Sequence, residues 1–178
     1  MSIRLESPRL VLRLPEIGDI PSISRHANDR EVWLGLRDRF PHPYSVEDAR
    51  AFVKEVEEEG EPERTFAIEF GGEVIGMAGI MLQDDVYRFS GEIGYWIGTA
   101  FRGRGLATEV VAALTLYGFD GLGLNRLWCH IFTTNPASAR VVEKNGYALE
   151  GTMRDAAFKD GRFLEVLVYA RLAGRKAR

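Results

Sequence analysis

Two hairpin signals and one glycine-rich strand-to-helix turn occur in a single chain, and their order restricts what the chain can fold into. Thr65 to Phe70 and Glu73 to Leu82 flank Gly71-Gly72, where paired glycines supply the positive φ of a tight hairpin turn. A strand from about Tyr147 to Phe158 and another from Phe163 to Leu172 flank Lys159-Asp160-Gly161-Arg162, whose Asp-Gly pair is a second such signal. Between the hairpins, the pattern predicts a strand from about Arg88 to Ile97, a glycine-rich turn, a helix from about Ala107 to Phe119 and a strand from Leu127 to Phe132. Asn135 before Pro136 starts a further helix, and Asn145-Gly146 stops it. Upstream, Ile3 to Leu14 reads as one strand with Leu10, Leu12 and Leu14 on a buried face. Asp19 is expected to cap a short helix with Pro21 in its first turn. Ser45 and Asp48 form a capping-box pair before Ala49, Phe52, Val53 and Val56 at helical spacing. The order is strand, two helices, three strands, helix, strand, helix, two strands. It implies an α+β domain, a mixed sheet of about seven strands with helices on its faces.

At 178 residues and 46% hydrophobic composition the chain is expected to form one domain spanning 1–178. A net charge of -3 argues against a dedicated nucleic-acid binder, which needs clustered Lys and Arg. One cysteine, Cys129, excludes an intramolecular disulfide, and no early apolar run resembles a signal peptide, so the cytoplasm is the expected compartment. No run approaches a membrane span. Arg175, Lys176 and Arg178 read as a solvated basic ending. Monomer and homodimer both stay open.

The turn from Gly98 to Thr108 is where an anion would sit. Gly103 and Gly105 let consecutive backbone N–H groups converge, the following helix adds its positive end, and Arg102 and Arg104 add charge. A P-loop would require Lys and Ser/Thr after Gly103, where Arg104 and Gly105 stand. A dinucleotide fingerprint would require Gly or Ala at Thr108 and an acidic residue near 128–130, where Trp128, Cys129 and His130 stand. What survives is a diphosphate whose carrier needs neither metal nor a ribose-binding carboxylate.

That segment resembles the coenzyme A pyrophosphate loop of the GNAT superfamily of N-acetyltransferases, written Arg/Gln-x-x-Gly-x-Gly/Ala and matched by Arg102, Gly105 and Ala107. Ser7 to Arg13, Gly91 to Ile97, Asn135 to Ser138, Glu143 to Tyr147 and the closing hairpin resemble the subgroup that contains the Rim-type ribosomal-protein N-terminal acetyltransferases. The resemblance covers nearly the whole chain. It implies a strongly twisted sheet in which the strand through Ile97 splays from its neighbour and pairs with the pantetheine arm. It also implies that Gly103, Arg104, Gly105, Leu106, Ala107 and Thr108, with Arg102, bind the diphosphate of acetyl-coenzyme A without metal. Asn135 would hydrogen-bond the arm; its other reading is a helix N-cap.

Acyl transfer to an amine needs a neutral nitrogen, oxyanion stabilisation and a proton for the departing thiolate. Glu92, on the alternate face from Ile93, Tyr95 and Ile97, matches the subgroup's candidate general base, acting directly or through water; the competing reading is a half-exposed cross-strand carboxylate. The superfamily's frequent tyrosine acid is replaced by Val142, which leaves Ser138 or water to protonate the thiolate. Tyr147 reads as core. Cys129 reads as a small buried hydrophobe, and His26, His42 and His130 lack metal-ligand spacing, with His130 an alternative base. Trp33, Phe40 and Tyr44 lie in an aromatic, proline-rich connection that in the family walls the acceptor pocket, or that anchors a loop. The acceptor would be a primary amine, either a protein or peptide N-terminus or a small molecule such as a polyamine, amino acid or aminoglycoside. A non-catalytic acyl-coenzyme A-binding domain is the rival of another class.

Overall fold

The computed structural model describes residues 3–60 and 64–174; Arg175, Lys176 and Arg178 lie outside them. The first strand divides in two, β1 (Leu5–Glu6) and β2 (Leu10–Arg13), because the Ser7 N–H and hydroxyl both close a turn onto the Leu10 carbonyl and β1 folds back on β2. Next come α1 (Ile20–Ala27), a short α2 (Arg30–Trp33) that hydropathy did not reveal, and α3 (Val46–Glu59) behind its Ser45/Asp48 capping box. Asp19 stands at the N-cap of α1 without capping it, since its carboxylate is taken by Arg13 and the Glu16 N–H.

The hairpin β3 (Thr65–Phe70) and β4 (Glu73–Leu82) leads to β5 (Ser90–Ile97) and α4 (Leu106–Leu116). The expected helix end at Phe119 becomes a wider turn over Tyr117–Gly121, closed by the Leu122 N–H on the Tyr117 carbonyl. There Gly118 lies so close to Leu127 that a Cβ would stand 2.8 Å from it. After that come β6 (Arg126–Phe132), α5 (Pro136–Lys144), β7 (Ala148–Lys159) and β8 (Arg162–Leu172). Asp160 and Gly161 both have positive φ, the two-residue hairpin geometry that Asp-Gly favours.

Among the described residues the sheet has eight strands in the order β1-β2-β3-β4-β5-β6-β8-β7, antiparallel except for the β5–β6 pair. One more strand than expected follows from the split at Ser7. Strand alternation separates two cores. Phe66, Ile68, Ile93 and Ile97 pack with Leu106, Val110, Val111 and Leu114 of α4, while Ala67, Val74 and Met77 pack with Ile20, Ile23, Ala49 and Val53 of α1 and α3. The β3–β4 register shifts between Ile68/Gly76 and Glu69/Val74, and this inserted residue, Ile75, keeps Val74 and Met77 on the same face despite their odd spacing.

The candidate active site

The sheet opens where β5 and β6 part. Parallel pairing covers only Ser90 to Glu92 against Arg126 to Trp128, yet β5 runs on to Ile97 and β6 to Phe132. Beyond Glu92 the β5 edge therefore has no β6 partner, in line with the splay that the family resemblance implies. A cleft of about 1300 Å³ passes through the gap, lined by both strand ends, the 102–108 turn, the N-terminus of α5 and the loop after α2.

At one end lies the glycine turn. Gly103 has φ 77° and Gly105 has φ 78° as the N-cap of α4, so the backbone there adopts a form that L side chains rarely take. Arg102, Gly103, Gly105, Leu106, Ala107 and Thr108 line the cleft, whereas Arg104 lies over the Phe101 ring, 5.7 Å from its centre. Arg102 turns back: its Nε donates to the Ile97 carbonyl at 3.2 Å. The guanidinium beside Gly105 belongs instead to Arg9, whose Nη2 would stand 3.3 Å from a Cβ at that glycine. Glu109, in the first turn of α4, holds Arg9 Nε at 2.6 Å and the Ser7 hydroxyl at 2.8 Å; burial pushes its carboxyl up, but these partners outweigh it and leave the carboxyl below the usual range. Arg9 thereby offsets a carboxylate that would otherwise oppose an anion at this helix start. The sequence signal was available, since Glu109 falls four residues after Gly105, but its partner lies 100 positions upstream.

At the other end the candidate catalytic groups divide between the two faces of the sheet. Glu92 faces the α1–α3 side and is 7% exposed, so it is buried rather than half-exposed. Its partner is not across a strand: Arg37, from the loop after α2, donates from Nη2 to Oε1 at 2.5 Å. His130 Nδ1 lies 3.7 Å from the same oxygen; burial, with Arg37, holds its pKa below the ordinary histidine value against the pull of Glu92, so the ring is neutral at pH 7. On the opposite face, Ser138 Oγ and the Tyr95 hydroxyl share a hydrogen bond of 2.8 Å, and burial pushes the phenol far up. Tyr95 went unassigned from sequence, although strand alternation already put it on the side away from Glu92.

Asn135 is a helix N-cap that also lies at the cleft. Its Oδ1 accepts from the Ser138 N–H at 3.2 Å as an N-cap, and the residue lines the cleft with Nδ2 close to Gly35. Ile97 lines the cleft, as do Phe40 and Tyr44, whose rings are 4.8 Å apart; burial and Asp48 push the Tyr44 phenol up to about 12. Trp33 is not in the lining. It stacks on His42 and carries Lys159 Nζ 3.6 Å above its ring, which supports the loop from behind. Val142 is fully buried, Tyr147 bonds the Thr115 hydroxyl in the core, and burial with Glu92 pushes the Cys129 thiol up to about 12. No helix of the described residues is long and apolar enough to cross a membrane, and no group of three or more candidate metal ligands occurs among them.

Similarity to known proteins is consistent with this architecture. An uncharacterized N-acetyltransferase of Bacillus licheniformis, p20, is 29% identical over 170 residues, 94% of this chain and 95% of its own length. The spermidine N(1)-acetyltransferase of Vibrio cholerae is 26% identical over 159 residues, 89% of this chain and 90% of that protein. A solved ribosomal-protein α-N-acetyltransferase, RimL, in complex with coenzyme A superposes with a TM-score of 0.84 at 23% identity over 96% of this chain and 98% of its own. The acetyltransferase (GNAT) domain model matches residues 9–148, and with most of the chain inside that match, this protein belongs to the GNAT family of acetyltransferases.

Proposed function

We propose that this chain, acting as one domain in the cytoplasm, transfers the acetyl group of acetyl-coenzyme A to a primary amine without a metal. The favoured acceptor is the N-terminal α-amine of a protein or peptide. The observation that carries the reading is the gap between β5 and β6, which runs from the glycine turn to Glu92 on one face and to Ser138 on the other. Residues 102–108, with Arg9 behind them, would hold the diphosphate, and Asn135 Nδ2 with the β5 edge beyond Glu92, which has no β6 partner, would hold the pantetheine arm. The amine then approaches from the Glu92 side, past Phe40 and Tyr44. Nitrogen attacks the thioester carbon, its proton passes to Glu92 directly or through water, and the C–S bond breaks; the sulfur takes the Ser138 hydroxyl proton, which Ser138 regains from solvent as Glu92 releases its proton to solvent. An α-amine with a pKa of roughly 7.7–8.0 is partly neutral at pH 7, so a modest base suffices.

The acceptor preference rests on the segments resembling the ribosomal-protein subgroup. The spermidine-acetylating relative makes a polyamine the second reading. Thiol release from acetyl-coenzyme A is the test, with an unblocked dipeptide amide, an Nα-blocked lysine peptide and spermidine as acceptors. The dipeptide is expected to give the highest kcat/KM. Spermidine ahead of it would replace the acceptor assignment, and coenzyme binding with no amine-dependent release would make the chain a binding domain.

A further inference from the structure

Residues 37 to 39 of the loop after α2 are each fastened to a different part of the cleft wall. Arg37 donates to Glu92 on β5 at 2.5 Å, Asp38 accepts from Lys159 at the tip of the β7–β8 hairpin at 2.7 Å, and Arg39 Nη2 lies 3.7 Å from Met81 Sδ on β4. Met81 and Glu92 are partners across β4–β5, so the two arginines straddle one rung of the sheet. The Lys159 side chain is only 3% exposed, so the residue next to Arg37 is tied down by a buried ammonium. Arg37 therefore reaches Glu92 from a fixed stretch of backbone.

A carboxylate as buried as Glu92 is stable as an anion only beside a cation or hydrogen-bond donors. Arg37 meets that need here, with the neutral His130 ring next to it. The acceptor brings a second cation to the same place, because a primary amine arrives mostly as its ammonium at pH 7. A guanidinium and an ammonium on one carboxylate repel each other, so each weakens the other's hold. Arg37 is the one able to go: its side chain is 53% exposed, against 10% for Glu92, and solvent is open to it.

We infer that Arg37 occupies the acceptor ammonium's place on Glu92 and competes with the acceptor for it, which makes Arg37 a residue that sets acceptor affinity. The inference rests on the assignment of Glu92 to the acceptor side. Arg37 thereby lowers the affinity of every acceptor ammonium by a similar factor, so an acceptor must offset that loss with contacts elsewhere in the cleft.

Calorimetry of amines binding to the coenzyme A-loaded protein tests it, with propylamine and an unblocked dipeptide amide as probes. Arg37→Gln should tighten both by about fivefold, the factor that ion pairing of about 1 kcal/mol represents. Arg37→Lys, which keeps the cation, should stay near wild type, and the gain should vanish in a Glu92→Gln background. KM for the dipeptide should fall in parallel, and unchanged coenzyme A affinity checks that both variants are folded. Unchanged or weaker amine binding in Arg37→Gln overturns the inference; weakening confined to a dipeptide with a free carboxylate would make Arg37 an anion clamp instead. If the wild type releases no thiol with any amine, the proposed reaction fails, yet the calorimetric result still decides the competition at Glu92.

Discussion

Gly105→Val sets the diphosphate turn against its own backbone. Gly105 has φ 78° and ψ 1°, a left-handed conformation that costs an L-residue about 1–2 kcal/mol and a β-branched one more. The new Cβ would also stand 3.3 Å from Arg9 Nη2, the end of a long, partly exposed side chain that can give by a few tenths of an ångström. If the chain keeps its shape, stability falls by about 2 kcal/mol from backbone strain. If the peptide rotates instead, the N–H groups at the start of α4 no longer converge. Two lost charge-assisted hydrogen bonds at about 1.5–3 kcal/mol each would weaken coenzyme A by roughly 10²- to 10⁴-fold. Gly123→Val is the control, since Gly123 has φ 66°, nothing within 4 Å of its Cβ position, and no place in the cleft. It should lose similar stability with coenzyme affinity intact. Urea unfolding reads the first quantity and calorimetry with coenzyme A the second. A folded Gly105→Val protein with wild-type affinity, or an equal loss of affinity in Gly123→Val, would refute the placement of the diphosphate.

Glu92→Gln should leave coenzyme affinity unchanged and lower turnover by about 10²- to 10⁴-fold at neutral pH, with the deficit shrinking as the amine deprotonates in solution; near-normal turnover would return Glu92 to a structural role. Ser138→Ala and Tyr95→Phe, which interrupt one hydrogen bond from either side, should each lower kcat, and the double variant should be no slower than the worse single one; additive losses would show that the two hydroxyls act separately. Asp38→Ala leaves the buried Lys159 ammonium with the Trp33 ring but no carboxylate and should cost about 1–3 kcal/mol in urea unfolding, whereas Lys159→Met leaves only an exposed carboxylate and should cost less; the reverse ranking would mean that charge does not hold Asp38 to Lys159. The folded Cys129 thiol titrates near 12, above the unfolded value of roughly 8.5, so it favours folding below pH 8 and that contribution is lost as pH rises toward 12. Cys129→Ala should flatten this alkaline loss of stability; an unchanged slope would assign it to another group.

What the sequence determined by itself is what a few neighbouring residues can fix. Gly71-Gly72 and Asp160-Gly161 set hairpin turns, Ser45 with Asp48 and Asn135 with Pro136 set helix starts, and Gly103 with Gly105 set the anion turn, because each signal is a φ requirement or a hydrogen bond within about four residues. The resemblance across those segments carried the family and the α+β architecture as well. Tertiary structure alone decided the rest. The first strand breaks where Ser7 closes on Leu10 and β1 finds β2, and Ile75 is inserted so that both faces of β4 meet their helices. Only closure of the sheet shows that pairing of β5 with β6 stops at Glu92 and opens the cleft. The contacts that give the site its chemistry join Arg9 to Glu109, Arg37 to Glu92, Tyr95 to Ser138 and Lys159 to Asp38 across 43 to 121 positions. No local propensity specifies such pairs; they form because packing of two cores onto one twisted sheet brings distant backbone to the same place, and charge and hydrogen bonding then select the partner.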